Sequence, residues 1–107
     1  MRRYGMVIRL KPEYVEAYKD VHKSVPPAVL RTIEECNISN YTIFLRQYVL
    51  FGYFEYSGKD FAADMAMMAA DPETQKWWAL TGPMQDPYPD RAPGEWWTFM
   101  DEVFHKN

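Results

Sequence analysis

Four groups of residues in this 107-residue chain have the types and spacing to do chemistry. Tyr18 and His22 are four apart, which on a helix makes their side chains neighbours. An imidazole, with an ordinary pKa of about 6.5, exchanges a proton readily at neutral pH, and a phenol beside it can hold or assist it. Asn40-Tyr41 stands near the start of strand-like sequence. Trp77-Trp78 falls on helical sequence, where adjacent side chains point about 100° apart. Both cannot face one core, so at least one sits at a pocket or an interface. The face of an indole suits the C–H face of a sugar ring, and its N–H can donate to a hydroxyl. The fourth group is the stretch 81–95, rich in Pro and Gly. A loop of that length in a small domain is usually functional or covers a partner. Against each stands a plainer role. By default His22 reads as a satisfied core histidine, Tyr18 and Tyr41 as buried rings with bonded hydroxyls, and the indole pair as partly core.

Other chemistries find little support. Cys36 has no evident base partner and reads as a buried thiol. As the one cysteine it forms no intrachain disulfide, which suits a reducing compartment and makes the cytoplasm the expected location. Two histidines and one cysteine are too few for a dedicated zinc site, and Asp60, Asp64 and Asp71 lack metal-ligand spacing. The five glycines are scattered, with no phosphate loop among them. Met65, Met67 and Met68 read as packing, and His105 as an exposed or interface residue. The net charge is −3 and no basic stripe is present, so no nucleic-acid partner is expected. No apolar run approaches the roughly 18 residues that span a bilayer. Met1-Arg2-Arg3-Tyr4 runs straight into strand-like sequence, so no signal peptide is expected.

The elements that must position these groups follow from periodicity. Residues 4–10 alternate, with Met6, Ile8 and Leu10 on one face and Val7 and Arg9 on the other. Pro12 suits a first helical turn, and a helix runs to about Ser24. Its apolar arc holds Tyr14, Val15, Ala17, Tyr18, Val21 and His22; Glu13, Glu16, Lys19, Asp20 and Lys23 form the charged one. A second helix follows Pro26-Pro27 to about Cys36, with Val29, Leu30, Ile33 and Cys36 inward and Asn37 as its stop. Strands at 38–46 and 48–56 flank a tight turn at Arg46-Gln47. In the first of these Tyr41, Ile43 and Leu45 share one face, and Asn40, Thr42, Phe44 and Arg46 the other. Residues 59–70 are helical, and Asp71 caps a further helix with Pro72 in its first turn, through about Leu80. A last strand is expected over 96–105.

That order, strand, helices, strand, strand, helices, strand, gives one α+β domain over residues 1–107, with an antiparallel sheet and helices on one face. This is the ferredoxin-like split βαβ arrangement. Four Trp, eight Tyr and six Phe make 17% of the chain, more than a small core needs. Phe44, Phe51 and Tyr53 fall on the face away from the helices. A second copy of the sheet is expected to cover them, giving a homodimer.

Taken together, these features resemble the L-rhamnose mutarotase family of small dimeric α/β-barrel proteins. The resemblance rests on Pro12, Tyr18 and His22, Pro27, Asn40-Tyr41 with Ile43 and Leu45, Gln75-Lys76-Trp77-Trp78, and Glu102-Val103-Phe104. The chain departs from the family after Trp78, at Leu80-Thr81-Gly82-Pro83-Met84. The resemblance implies a mutarotase that interconverts the α and β anomers of L-rhamnose or a closely related 6-deoxyhexose. His22 is implied as the proton donor, and Tyr18, Tyr41, Trp77 and Trp78 as sugar contacts. Opening and reclosing a sugar ring needs two proton-transfer groups and no metal or redox cofactor. Two other readings of such a fold are a cofactor-free oxygenase or haem-degrading enzyme, and a sugar-binding module without catalysis.

Overall fold

A computed structural model describes residues 1–107. Strand β1 (Arg2–Leu10) leads through a 3₁₀ turn at Pro12–Tyr14 into α1 (Val15–Val21). A second 3₁₀ turn, His22–Ser24, precedes α2 (Pro27–Glu35). The hairpin β2 (Ile38–Arg46) and β3 (Val49–Tyr56) follows, then α3 (Phe61–Ala70) and α4 (Pro72–Thr81). A 3₁₀ turn at Gly82–Met84 leads into the short β4 (Gln85–Asp86), and β5 (Thr98–Met100) closes the sheet. The order is β2-β3-β1-β4, antiparallel throughout, with β5 also on β1. This is the α+β, ferredoxin-like arrangement expected from the sequence.

The pleat of β1 sets the two faces. Met6, Ile8 and Leu10 are buried, with Ile8 at 0% exposure. Full burial of such a side chain stabilises by about 1.5–3 kcal/mol. Opposite them on β3 stand Gly52, Leu50 and, beside Tyr4, Phe54. Two apolar clusters result. One gathers Met6, Cys36, Ile38, Phe54, Tyr56 and Met68; the other Ile8, Leu10, Tyr18, Leu50 and Met84. Trp97 packs against both. Its ring lies 3.3 Å from where a Cβ on Gly52 would stand, and the Met6 side chain 2.8 Å from the same point. A side chain at position 52 would therefore displace the Met6 side chain and crowd the ring that joins the clusters.

The helix ends follow local chemistry. Asn37 stops α2 in the left-handed region at φ 66°, as expected for a residue whose short side chain tolerates it. The Asp60 carboxylate accepts from the Ala63 N–H at 3.1 Å. Asp71 accepts from the Thr74 N–H at 2.9 Å and the Thr74 hydroxyl at 2.8 Å. Asp64 accepts from the Tyr56 hydroxyl at 2.5 Å and from Asn37 at 3.1 Å. Hydrogen bonds from Tyr56 and Thr74 hold the Asp64 and Asp71 carboxyls below their ordinary values. A carboxyl with a lowered folded pKa stabilises the fold above its unfolded pKa, about 3.9, and that contribution disappears as pH falls through the folded value. Thermal melts should therefore lose stability below about pH 4. Asp64→Asn with Asp71→Asn should flatten that loss; an unchanged acid slope in the double variant would remove these two groups as its cause.

Several expectations need correction. The first helix is broken into a 3₁₀ turn, α1 and a second 3₁₀ turn, and its apolar arc is narrower than expected: Tyr14 and Ala17 are exposed. Leu30 is 53% exposed, because α2 turns Val29 and not Leu30 onto the sheet. Strand β2 carries a bulge between Ser39 and Thr42, with Asn40 at φ 51°. The extra residue reverses the alternation. Both Ile38 and Tyr41 thereby face the helices, where simple alternation puts Ile38 on the other side. The stretch 81–95 is not all loop, since Gln85 and Asp86 pair with Leu10 and Arg9. The expected strand 96–105 is reduced to Thr98–Met100. Beyond Met100 the chain is tied to β1 by the Arg3–Glu102 ion pair at 2.9 Å. Val103 and Phe104 are 94% and 81% exposed, and no element of the chain covers them to hold a longer ladder.

Candidate active site

The C-terminal end of α1 presents the first two groups. Tyr18 is buried on the inner side of α1, and His22 follows one turn later at the helix end. Their rings are in contact, with centroids 4.2 Å apart and planes tilted by 32°. His22 Nδ1 lies 2.7 Å from the Tyr18 carbonyl oxygen. A carbonyl only accepts, so Nδ1 must carry the hydrogen. This fixes the tautomer and leaves Nε2 as the atom that gives or takes a proton.

Helix α4 supplies the opposite wall. Trp77 meets His22 edge-on, with centroids 5.1 Å apart at 71°. The imidazole is thus held between a phenol and an indole from two different helices. Tyr41 reaches the same region from the sheet. Its ring lies 5.8 Å from that of Phe54. Burial and the nearby Tyr18 phenol push its hydroxyl well above the ordinary value. Tyr41 is nevertheless 37% exposed as a whole residue, so part of the side chain stays open. Burial pushes the Tyr18 phenol up to about 12, against a smaller opposing effect of its hydrogen bond to Gln85. Both phenols stay protonated at neutral pH and can act there as donors, not as bases.

The structure therefore joins Tyr18, His22 and Trp77 by ring contacts, while Tyr41 has its ring contact with Phe54. Trp78, its neighbour on α4, is 45% exposed and makes no ring contact with the group. Asn40 turns to the other face, where it donates to Glu55 at 2.7 Å, and Tyr53 donates to the same carboxylate at 2.9 Å. Sequence reasoning missed three residues. Gln85, buried in β4, donates to the Tyr18 hydroxyl at 3.1 Å. Trp96 donates to the Gln85 side-chain amide oxygen, Oε1, at 2.7 Å, and Trp97 lies over Gly52. The signal was available: Trp96-Trp97 is a second adjacent indole pair, and two neighbours in extended chain point to opposite sides. Two recesses lie elsewhere. One of about 530 Å³ is bounded by the loop around Arg91 and Trp96. Another of about 310 Å³ lies on the outer sheet face beside the C-terminal segment. Neither contains His22.

Fold and site together define a class: an α+β chain of the dimeric α/β-barrel fold, with one orientated imidazole held between a phenol and an indole. Residues 3–106 match the family model of L-rhamnose mutarotase, and the chain belongs to that family. It is 29% identical over 107 residues to the L-rhamnose mutarotase of Oceanobacillus iheyensis, covering 98% of each chain. It is 30% identical over 95 residues to that of Sinorhizobium fredii, covering 87% of this chain and 88% of the other. Among solved structures, the L-rhamnose mutarotase of Formosa agariphila superposes over 100% of both chains, with a TM-score of 0.78 and 23% identity. The tetracenomycin F2 cyclase of Streptomyces glaucescens, a type-II polyketide cyclase, has a TM-score of 0.66 and 18% identity, and covers 99% of this chain and 96% of that one. These two likenesses establish the fold, which evidently hosts more than one chemistry. The family match favours the mutarotase reading over the oxygenase, haem-degrading and non-catalytic ones.

Proposed function

We propose that this chain, as one domain, interconverts the α and β anomers of L-rhamnose, with His22 as proton donor and Tyr18, Tyr41, Trp77 and Trp78 around the sugar. The observation that carries this is the pinned imidazole: Nδ1 is committed to the Tyr18 carbonyl, and the ring is walled by Tyr18 and Trp77. In the protonated state Nε2–H gives its proton to the ring oxygen of the pyranose. The bond from that oxygen to the anomeric carbon breaks as the anomeric hydroxyl loses its proton to water, leaving an aldehyde. The aldehyde turns about its bond to the next carbon. The chain hydroxyl then attacks its other face and returns its proton to Nε2, while the aldehyde oxygen regains a proton from water. No atom or electron is gained or lost. Two phenols that remain protonated donate to sugar oxygens, and the indoles lie against its C–H face.

Two-dimensional exchange NMR on L-rhamnose tests this. The cross-peaks between the α and β anomeric protons should grow faster with protein than without, at a rate proportional to protein concentration. Saturation-transfer signals without faster exchange would reduce the chain to a sugar-binding module. A panel of 6-deoxy and ordinary hexoses then defines the preferred sugar.

The same reading includes a homodimer. On the outer face Phe44 and Phe51 stack at 6.3 Å, and Phe44 is 59% exposed. Val49, Met100, Val103 and Phe104 are exposed as well, which is more contiguous apolar surface than a small monomer ordinarily leaves in water. A second sheet packed on this face covers it. Sedimentation at micromolar concentration should give twice the chain mass, and Phe51→Glu should shift the protein toward monomer. A wild-type monomer under these conditions excludes the dimer. No helix is long and apolar enough to cross a membrane. The single free cysteine, Cys36, fits a cytoplasmic location.

A further inference from the structure

We propose that Gln85 is a positioning residue that fixes the direction of the Tyr18 hydroxyl, so that its proton is turned toward the sugar. This rests on the reading of Tyr18 as a sugar contact. The argument begins at Trp96. An indole N–H can only donate. It lies 2.7 Å from Gln85 Oε1, so the oxygen end of the amide is committed to Trp96. The NH₂ end must then face the Tyr18 oxygen, 3.1 Å away. The phenol oxygen accepts that hydrogen, and its own O–H cannot lie along the same line. Gln85 is the hydrogen-bond partner the chain provides for this hydroxyl, so the Tyr18 proton is left for a group outside the chain.

Burial makes the arrangement rigid. Gln85 is 6% exposed and Tyr18 5%, so the amide cannot turn over and bond to water instead. The Gln85 backbone is held by pairing with Leu10 in β1. Trp96 stands at the end of the loop, with the Arg91 guanidinium 5.9 Å from its ring centre. A donor-only group on a loop thus sets the polarity of a phenol on α1.

The test compares wild type with Gln85→Glu, Tyr18→Phe and the double variant in the rhamnose exchange assay between pH 5 and 8. Glutamate keeps an oxygen for Trp96, but when ionised its second oxygen accepts, and it turns the Tyr18 proton away from the sugar. Exchange by Gln85→Glu at pH 8 should fall about tenfold, as in Tyr18→Phe, and the double variant should fall no further. At low pH the protonated carboxyl donates again as the amide did. The ratio of variant to wild type should therefore recover toward one as pH falls, while that of Tyr18→Phe should not. The ratio at each pH cancels any pH dependence that variant and wild type share; Tyr18, bonded to the amide, and Arg91, 5.9 Å from the Trp96 ring centre, are titratable groups around the position. Wild-type exchange by Gln85→Glu at pH 8, a loss that does not recover on acidification, or additive losses in the double variant would each overturn the proposal. If Gln85→Glu does not fold, Trp96→Phe frees the amide to turn. Exchange should then fall about threefold, and wild-type exchange in that variant overturns the proposal. A wild-type protein that does not speed exchange refutes the mutarotase reading itself, and the role of Tyr18 with it.

Discussion

Replacing His22 by Asn should slow anomer exchange of L-rhamnose by about 10²–10⁴-fold, the share that a positioned proton donor supplies. Asparagine is the informative substitute. Its amide nitrogen can occupy the place of Nδ1 and keep the bond to the Tyr18 carbonyl, 2.7 Å away in the native chain. Only the outer nitrogen, Nε2, is lost. The fold and the binding of rhamnose should therefore survive, as read by circular dichroism and saturation-transfer NMR. Exchange at the wild-type rate would exclude His22 from the proton path, however well placed its ring.

The next largest effect is expected from Trp77→Ala. On the proposed reading the indole acts twice, as a surface for the sugar and as the edge that meets the imidazole at 5.1 Å. Removing it should raise KM about tenfold or more and lower kcat as well, because His22 loses one of its two walls. Initial exchange rates over a series of rhamnose concentrations separate the two parameters. Trp78→Ala is the companion measurement. Trp78 is 45% exposed, and an unchanged KM would remove the second indole from the sugar site. Unchanged kinetics in Trp77→Ala would place the sugar somewhere other than beside His22.

Much of this molecule was legible in the residues. Alternation in β1 gave the two faces of the sheet, because a period of two leaves no other choice for Met6, Ile8 and Leu10. The four-residue spacing brought Tyr18 against His22, and Asp71-Pro72 marked the start of α4. The misread portions depend on long-range contacts. The Asn40 bulge is a property of how β2 pairs with β3, so local alternation puts Ile38 on the wrong face. Leu30 looks inward on a helical wheel, but the tilt of α2 on the sheet decides which residue is covered. Gln85 was hidden for a related reason. A glutamine between Met84 and Asp86 in a Pro-rich stretch carries no local mark of burial. Its partners stand 67 residues before it and 11 after it. His22 and Tyr18 could be found one helix at a time, whereas the group that aims Tyr18 required the whole fold.

Strands β4 and β5 both return to β1, at Arg9–Leu10 and at Gly5–Val7. The intervening segment therefore leaves and rejoins one edge of the sheet within the length of a single strand. Its two ends are clamped independently of what happens between them. Lengthening a closed loop costs little, about 0.6 kcal/mol for each doubling. Residues 87–95 thus form an exchangeable cassette. New lengths and compositions can be inserted there without disturbing the register of the strands on either side.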